Sequence, residues 1–359
     1  MDVACRVDSS TEMGVGHIMR CLTLADGLRK KNVSVTFVCR DLPGHLGDLV
    51  IEKGYMLKLL PRPISDSTKK SNIWLKTLWD IDVNQTIAAV GTKVDLLIID
   101  HYGIDEAWHR KASSITSKIM VIDDLANRCL YCDLLLDQTF GRKESAYLRY
   151  VGSETTILCG TRYALLRDQF SEHREAAINK RNSFSGIKQI LVNFGGADYT
   201  NMSSKVLSVL STIEFTHVPS IDVVLGESSL FMDEIRRKVE DYKLNVKIFS
   251  YVENMAALML KADVAIGAGG STSWERCTLG LPTLLFVNAE NQLLIAQNLE
   301  EAGAVTVIDK NILHYKDMTN TLIELDVNHD KYRFVSRAAS KICDGLGVGR
   351  VVDKILSFS

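Results

Sequence analysis

The chain reads as an α/β protein of two Rossmann-like domains, with parallel sheets facing an interdomain cleft. Short apolar runs rich in Val, Ile and Leu recur with little polar alternation, as strands buried on both faces should. Helical segments separate successive runs, which implies parallel sheets with helices on both sides. A length of 359 residues allows two domains that each bury a core.

Taken in order, the first half offers strands over 3–7, 33–39, 94–100, 119–123 and 134–137. The second half offers 189–194, 221–225, 246–249, 264–267, 283–287 and 304–308. Between the two sets, residues 171–185 form a polar stretch that reads as a linker. The expected domains are therefore 1–170 and 186–359. No internal repeat or low-complexity tract stands out.

Composition narrows the function. Hydrophobic residues make up 46% and charged residues 24%, as in an ordinary soluble globular protein, and the net charge of −2 suggests neither nucleic acid nor an anionic membrane as partner. No apolar run approaches a membrane span. The N-terminus enters a strand at once, without the basic and apolar regions of a secretion signal, so a cytoplasmic protein is expected. Eight cysteines (5, 21, 39, 129, 132, 159, 277, 343) sit mostly in apolar segments, which suits free thiols in a reducing compartment. Cys129 and Cys132 form one CxxC, but no second pair completes a zinc site.

The most informative stretch follows the first strand. Gly14-Val15-Gly16-His17 closes a loop, and Ile18, Cys21, Leu22, Ala25 and Leu28 then recur at helical spacing. Two glycines let a backbone approach a ligand, and a helix N-terminus offers N–H groups to an anion. His17 stands where it can move a proton near neutral pH, although a histidine there can also be a mere cap. The turn is not a dinucleotide fingerprint, since Met19 replaces the third glycine, and no glycine run ends as a P-loop.

Polar clusters recur at strand ends, where open α/β sheets bind ligands. They are Asp100-His101-Tyr102-Gly103, Asp123-Asp124, Gly195-Gly196-Ala197-Asp198, Gly267 to Ser273 with Gly270 and Ser271, and Asn288 to Gln292. Five such clusters in two domains point to a shared cleft, although turn chemistry favours the same residues. The segment 267–275 reads as a second anion cradle ahead of a helix, with Glu275 placed to accept from ribose hydroxyls; its bland alternative is a helix cap. Asp80-Ile81-Asp82 could suggest a metal-dependent transferase, but a solvated loop is the better reading. Gly345 to Arg350 reads as a turn between helices, and His173, His217 and His314 as residues of polar loops.

Together these residues resemble the UDP-2,4-diacetamido-2,4,6-trideoxy-β-L-altropyranose hydrolases of pseudaminic acid biosynthesis. The resemblance rests on Arg6-Val7-Asp8 with Gly14 to Leu22, on Asp100 to Gly103, on Gly160 to Arg167, on Gly195 to Asp198 with Asn201, and on Asn291-Gln292. It covers most of the chain, least securely beyond about residue 310. It implies a GT-B-like fold, UDP held mainly by the C-terminal domain and the sugar facing the N-terminal one. It also implies His17 as the general base activating water for attack at the anomeric carbon. Tyr102 and Asn291 match positions associated with substrate, and Asp8, Arg20 and Gln292 lie in the matching motifs. UDP is a good leaving group if N–H groups receive the developing charge, so neither metal nor cofactor is expected. The expected partners are a UDP-sugar and water, with no oligomer required. A GT-B glycosyltransferase using a UDP-sugar donor, a hydrolysing epimerase and a non-catalytic nucleotide-sugar-binding protein are the alternatives.

Overall fold

The computed structural model describes residues 1–62, 71–196, 198–226, 229–242, 244–308 and 315–358; the side chains of 71–77, 291 and 315 lie outside this description, as do Ala197 and His314. The chain forms two compact units, residues 1–166 with 346–359, and residues 167–345. No helix among the described residues is long and apolar enough to cross a membrane.

The first unit runs β1 (Asp2–Val7), α1 (Gly16–Arg29), β2 (Ser34–Arg40), α2 (Gly47–Glu52), β3 (Met56–Leu60), α3 (Ser71–Val90), β4 (Val94–Asp100), α4 (Glu106–Ala112), β5 (Thr116–Ile122), β6 (Leu134–Asp137) and β7 (Thr156–Cys159). Its seven strands are all parallel, in the order β3-β2-β1-β4-β5-β6-β7. The period of two sorts alternate residues to opposite faces. Val3, Cys5, Val7, Leu96 and Ile98 pack with α1, while Ala4, Leu97, Ile99 and Val121 pack with Val83 and Trp108. Strands β3 and β7 were not anticipated. They lie at the sheet edges and are only partly buried, so they lack the continuous apolar signal of central strands.

The second unit opens with α5 (Asp168–Asn182). It continues through β8 (Gln189–Asn193), α6 (Met202–Leu210), β9 (Ser220–Val224), α7 (Met232–Tyr242), β10 (Val246–Phe249), α8 (Met255–Lys261), β11 (Val264–Ala268), α9 (Thr272–Thr278), β12 (Thr283–Phe286), α10 (Leu293–Glu301), β13 (Thr306–Ile308), α11 (Tyr315–Val327) and α12 (His329–Ile342). Its parallel order is β10-β9-β8-β11-β12-β13.

Two boundary expectations are corrected. The proposed linker 171–185 lies largely within α5, which buries Phe170, Ala177 and Arg181. A helix exposed over most of its circumference has the polar composition of a linker, and His173 is on it rather than in a loop. The last residues belong to the first unit, not the second. There α13 (Gly347–Leu356) buries Val348, Val351, Val352 and Ile355 in the same core as α1. Gly347 packs against the backbone of Tyr163 and Ala164 where a side chain could not fit, so this glycine run serves close packing as α13 begins.

A third correction concerns Asp80-Ile81-Asp82, which is helical, within α3. Asp82 is fully buried and accepts from Arg6 Nη2 (2.8 Å), Arg40 Nη2 (2.6 Å) and Trp108 Nε1 (2.9 Å). Arg6 also donates to both oxygens of Asp8 (2.5 and 2.9 Å), and the Arg40 backbone N–H donates to Asp8 Oδ1 (2.8 Å). Two guanidiniums and two carboxylates thus tie β1, β2, α3 and α4 into a near-neutral cluster. Burial opposes ionisation of both acids, but Arg6 holds Asp8, and Arg6 and Arg40 hold Asp82, below the usual carboxylate range.

Asp82→Ala strands those donors and is expected to cost about 3–5 kcal/mol in equilibrium urea unfolding. Asp80 is half exposed and pairs with Lys111, so Asp80→Ala should stay within about 0.5 kcal/mol; equal losses at both positions would refute the assignment. Because the folded pKa values of Asp8 and Asp82 are lowered, their stabilisation is complete above pH about 4 and is lost as pH falls below it. Asp82→Ala should therefore flatten the acid limb of the stability profile.

Candidate functional site

In each unit the strand order reverses direction at one point, between β1 and β4 in the first and between β8 and β11 in the second. Such a switch point opens a crevice at the carboxyl ends of the strands. The two groups of candidate residues lie at these two crevices.

In the first unit, β1 leads through a loop into α1. Gly14 has φ +78°, a left-handed conformation that favours glycine, and its N–H donates to Ser10 O (2.9 Å). A side chain at Gly16 would meet only open space. His17, Arg20 and Cys21 fall on one face of α1 by their i, i+3, i+4 spacing. That face meets Asp100, the last residue of β4. His17 Nδ1 lies 2.7 Å from Asp100 Oδ1; Arg20 donates through Nε and Nη2 to Oδ2 and Oδ1, each at 2.6 Å; and Cys21 Sγ adds a weaker contact at 3.5 Å.

This arrangement selects the histidine tautomer. Burial raises the Asp100 pKa, but Arg20 and then His17 outweigh it and hold the carboxyl far below the ordinary range. An ionised carboxylate only accepts, so Nδ1 carries a proton, and in the neutral ring Nε2 is the nitrogen with the lone pair. Arg20 Nη2, 3.1 Å from Nδ1, is then a packing neighbour and not a donor to it. No hydrogen bond to Nε2 occurs among the described residues, and His17 as a whole is 8% exposed.

Tyr102 completes the surround. Its ring stands edge-on to the His17 ring at 4.6 Å, and its hydroxyl donates to Asp124 Oδ1 (2.7 Å). Asp124 Oδ2 accepts from Arg20 Nη1 (3.2 Å), so His17, Asp100, Arg20, Asp124 and Tyr102 form a closed ring of contacts. Sequence reasoning placed Asp100 and Asp124 only in strand-end clusters. Their partners are 83 and 104 residues away, a pairing that one sequence does not display.

Asp8, expected at the substrate, is fully buried beneath this ring and engaged by Arg6 and the Arg40 N–H, a correction that makes it part of the support. His101 links the two layers. Its Nδ1 accepts from the Gly103 N–H (2.9 Å), which leaves Nε2–H facing Asp8 Oδ2 at 3.5 Å, and burial lowers its pKa to about 4. A cavity of about 400 Å³ in the same unit lies at the opposite strand ends, around Met1, Asp95, Lys118 and Phe358, away from this chemistry.

In the second unit, Gly195 (φ +93°) and Gly196 are exposed after β8, and Gly196 O accepts from the Gly226 N–H (2.8 Å). Asp198 is buried and caps α6, accepting from the N–H groups of Met202 (3.0 Å) and Ser203 (2.8 Å); this corrects its assignment to substrate, because helix capping occupies it. Asn201 donates to Glu234 Oε2 (2.9 Å). Across the crevice, after β11, the N–H groups of Gly270, Ser271 and Thr272 have no acceptor among the described residues. Gln292 lies beside Gly269 and accepts from the Asn288 N–H (2.9 Å), while the Asn291 side chain is outside the described residues. Glu275 is part-buried, 3.6 Å from Arg167; burial raises its pKa against the opposing charge of Arg167. Arg276, which the sequence did not single out, lies buried beneath this loop.

Asp124→Asn keeps a hydrogen-bonding side chain at the site but removes the charge that holds Arg20. It is expected to slow whatever turnover depends on His17 while leaving chain stability within about 1 kcal/mol, measured by paired kinetic and unfolding assays.

Residues 223–344 match the glycosyltransferase family 28 C-terminal domain. An uncharacterized protein, MJ1062, of Methanocaldococcus jannaschii is 28% identical over 81% of the chain, which spans 57% of that longer protein. The UDP-2,4-diacetamido-2,4,6-trideoxy-beta-L-altropyranose hydrolase of Campylobacter jejuni is 29% identical over 84% of the chain and 97% of its own length. Among solved structures, Acinetobacter baumannii MurG superposes with a TM-score of 0.67 at 13% identity, covering 99% of this chain and 100% of its own. The chain is thus built from two parallel-sheet α/β domains of the GT-B kind, and over most of its length it resembles the altropyranose hydrolase.

Proposed function

We propose that the protein hydrolyses UDP-2,4-diacetamido-2,4,6-trideoxy-β-L-altropyranose to UDP and the free sugar. The observation that carries this reading is the Asp100–His17 pair, which leaves Nε2 as an acceptor at the switch point of the first sheet. The similarity to the Campylobacter hydrolase over nearly all of that protein's length supports the substrate.

In this mechanism His17 Nε2 takes a proton from water as the water oxygen attacks the anomeric carbon. The C–O bond to the diphosphate breaks, and UDP leaves with the bonding pair. Asp100 orients the imidazole and stabilises the imidazolium that forms; Arg20 holds Asp100 ionised. One base, with the neighbouring carboxylates of Asp100 and Asp124 both engaged by Arg20, implies a single displacement with inversion. In the second unit, the N–H groups of Gly270, Ser271 and Thr272 receive the diphosphate, Glu275 accepts from the ribose, and Gly195 and Gly196 leave room for the ligand. Glycosyl transfer from a UDP-sugar is the second reading, favoured by the match of residues 223–344 to a transferase domain.

His17→Asn is expected to lower kcat by about 10²–10⁴-fold with UDP affinity little changed. A kcat within a few-fold of the parent would remove His17 from the mechanism. Hydrolysis predicts UDP release with no acceptor present and, in ¹⁸O-water, UDP free of label. Label in the nucleotide would place attack at phosphorus, and release that waits for an added acceptor would favour transfer.

Activity should also survive exhaustive EDTA treatment. The carboxylate pairs that could hold a metal are already engaged: Asp82 by Arg6 and Arg40, Asp123 by Arg128, and Asp124 by Arg20. Loss on chelation with recovery on Mg²⁺ would reverse this expectation.

A further inference from the structure

Beneath the loop after β11 lies a buried guanidinium that makes no ion pair among the described residues. Arg276, on α9, is 2% exposed. Its Nη2 donates to Ala268 O (2.7 Å) and Ser273 Oγ (3.1 Å), and its buried Nε has no partner. Nη1 lies against Gly267, so close that a Cβ there would stand 2.6 Å from it. The guanidinium is therefore pressed against the backbone of the loop whose next residues, Gly270, Ser271 and Thr272, present N–H groups without acceptors.

Among the described residues no carboxylate forms an ion pair with Arg276. Its neighbour Glu275 favours the charged guanidinium from a distance but pairs with Arg167 at 3.6 Å, and burial pushes the adjacent Cys277 thiol up to about 12, leaving it uncharged. The buried guanidiniums of Arg6, Arg20 and Arg40 each have a carboxylate within 3 Å, whereas Arg181, also without an ion pair, spends its Nη groups on the carbonyls of Ala177, Met259 and Ala262 and does not border a loop with open N–H groups. A buried charge without a counterion is costly, by several kcal/mol in general. Burial lowers the Arg276 pKa only to about 10, so it remains charged near neutrality.

The geometry points to Arg276 as the buried counter-charge of a diphosphate bound on the 267–272 loop, with the ligand's phosphates completing an ion pair across one layer of backbone. This rests on the UDP-sugar reading above and adds to it the group that distinguishes a nucleoside diphosphate from a nucleoside. It also accounts for Gly267, since any side chain there would displace either Arg276 or the Asn193 carbonyl.

The test compares UDP, inorganic pyrophosphate and uridine as ligands of the full chain by calorimetry. Arg276→Gln, which keeps a hydrogen-bonding side chain without the charge, is expected to weaken UDP and pyrophosphate on the order of tenfold or more, with uridine changed less than about twofold. Wild-type affinity for UDP in the Gln variant would overturn the proposal, as would equal losses for UDP and uridine, which would make Arg276 a structural tie of the loop. Should the Gln variant fail to fold, Arg276→Lys decides. It keeps the charge but not the fork to Ala268 and Ser273, so a retained preference for UDP over uridine supports the counter-charge and a lost preference overturns it. A wild-type chain that binds pyrophosphate but not uridine or UDP would refute the nucleotide reading while leaving the anion site. No binding of any of the three would overturn both.

Discussion

The Asp100 carboxylate is the constraint on which the first unit's crevice depends. It ends β4, the strand paired with β1, and collects His17, Arg20 and Cys21 from a single face of α1. One acceptor group therefore fixes the helix against the sheet, the histidine against the helix, and the proton on the histidine. The coupling is directional. Asp100 can orient His17 only while ionised, and it stays ionised when buried only because Arg20 spans both its oxygens. Asp124 and Tyr102 close the ring from the other side and limit the rotation of the imidazole.

The two units treat buried charge differently. In the first, Arg6, Arg40, Asp8 and Asp82 cancel one another, and the cluster works as scaffold: it joins two strands to α3 and α4 and supports the loop that carries His101. In the second, Arg181 and Arg276 are buried without an ion pair among the described residues; Arg181 is held by carbonyls of its own fold, whereas Arg276 lies directly under unused N–H groups. A balanced cluster needs nothing from outside the fold. An unbalanced one gains by attracting an anion.

Central strands were legible because burial on both faces leaves an uninterrupted apolar run; β4 and β6 begin and end where the pattern places them. The edge strands β3 and β7 were not, since their exposed residues break that run. Helix α5 imitates a linker because few of its positions are buried. Within the site, His17 and Tyr102 were legible from a glycine turn and a strand end. Asp198 carried a strand-end signal and Asp8 entered through the resemblance, but they are occupied by the cap of α6 and by Arg6, partners visible only in three dimensions. Asp82 was misread for the opposite reason: an acid on a helix looks solvated until two arginines from other strands are seen to enclose it.

The return of α13 to the first unit makes that unit discontinuous along the chain, whereas the second is one unbroken segment, 167–345. During synthesis the second unit can acquire all its residues and fold while the first still lacks Val348, Val351, Val352 and Ile355 from its core. Until they arrive, the face of α1 around Gly27, where Val348 packs, stays uncovered. The order of maturation is thus inverted relative to the order of these segments in the chain: the unit that begins first completes its core last, and the Gly27 face of α1 is covered only once Val348 and Val352 have been made.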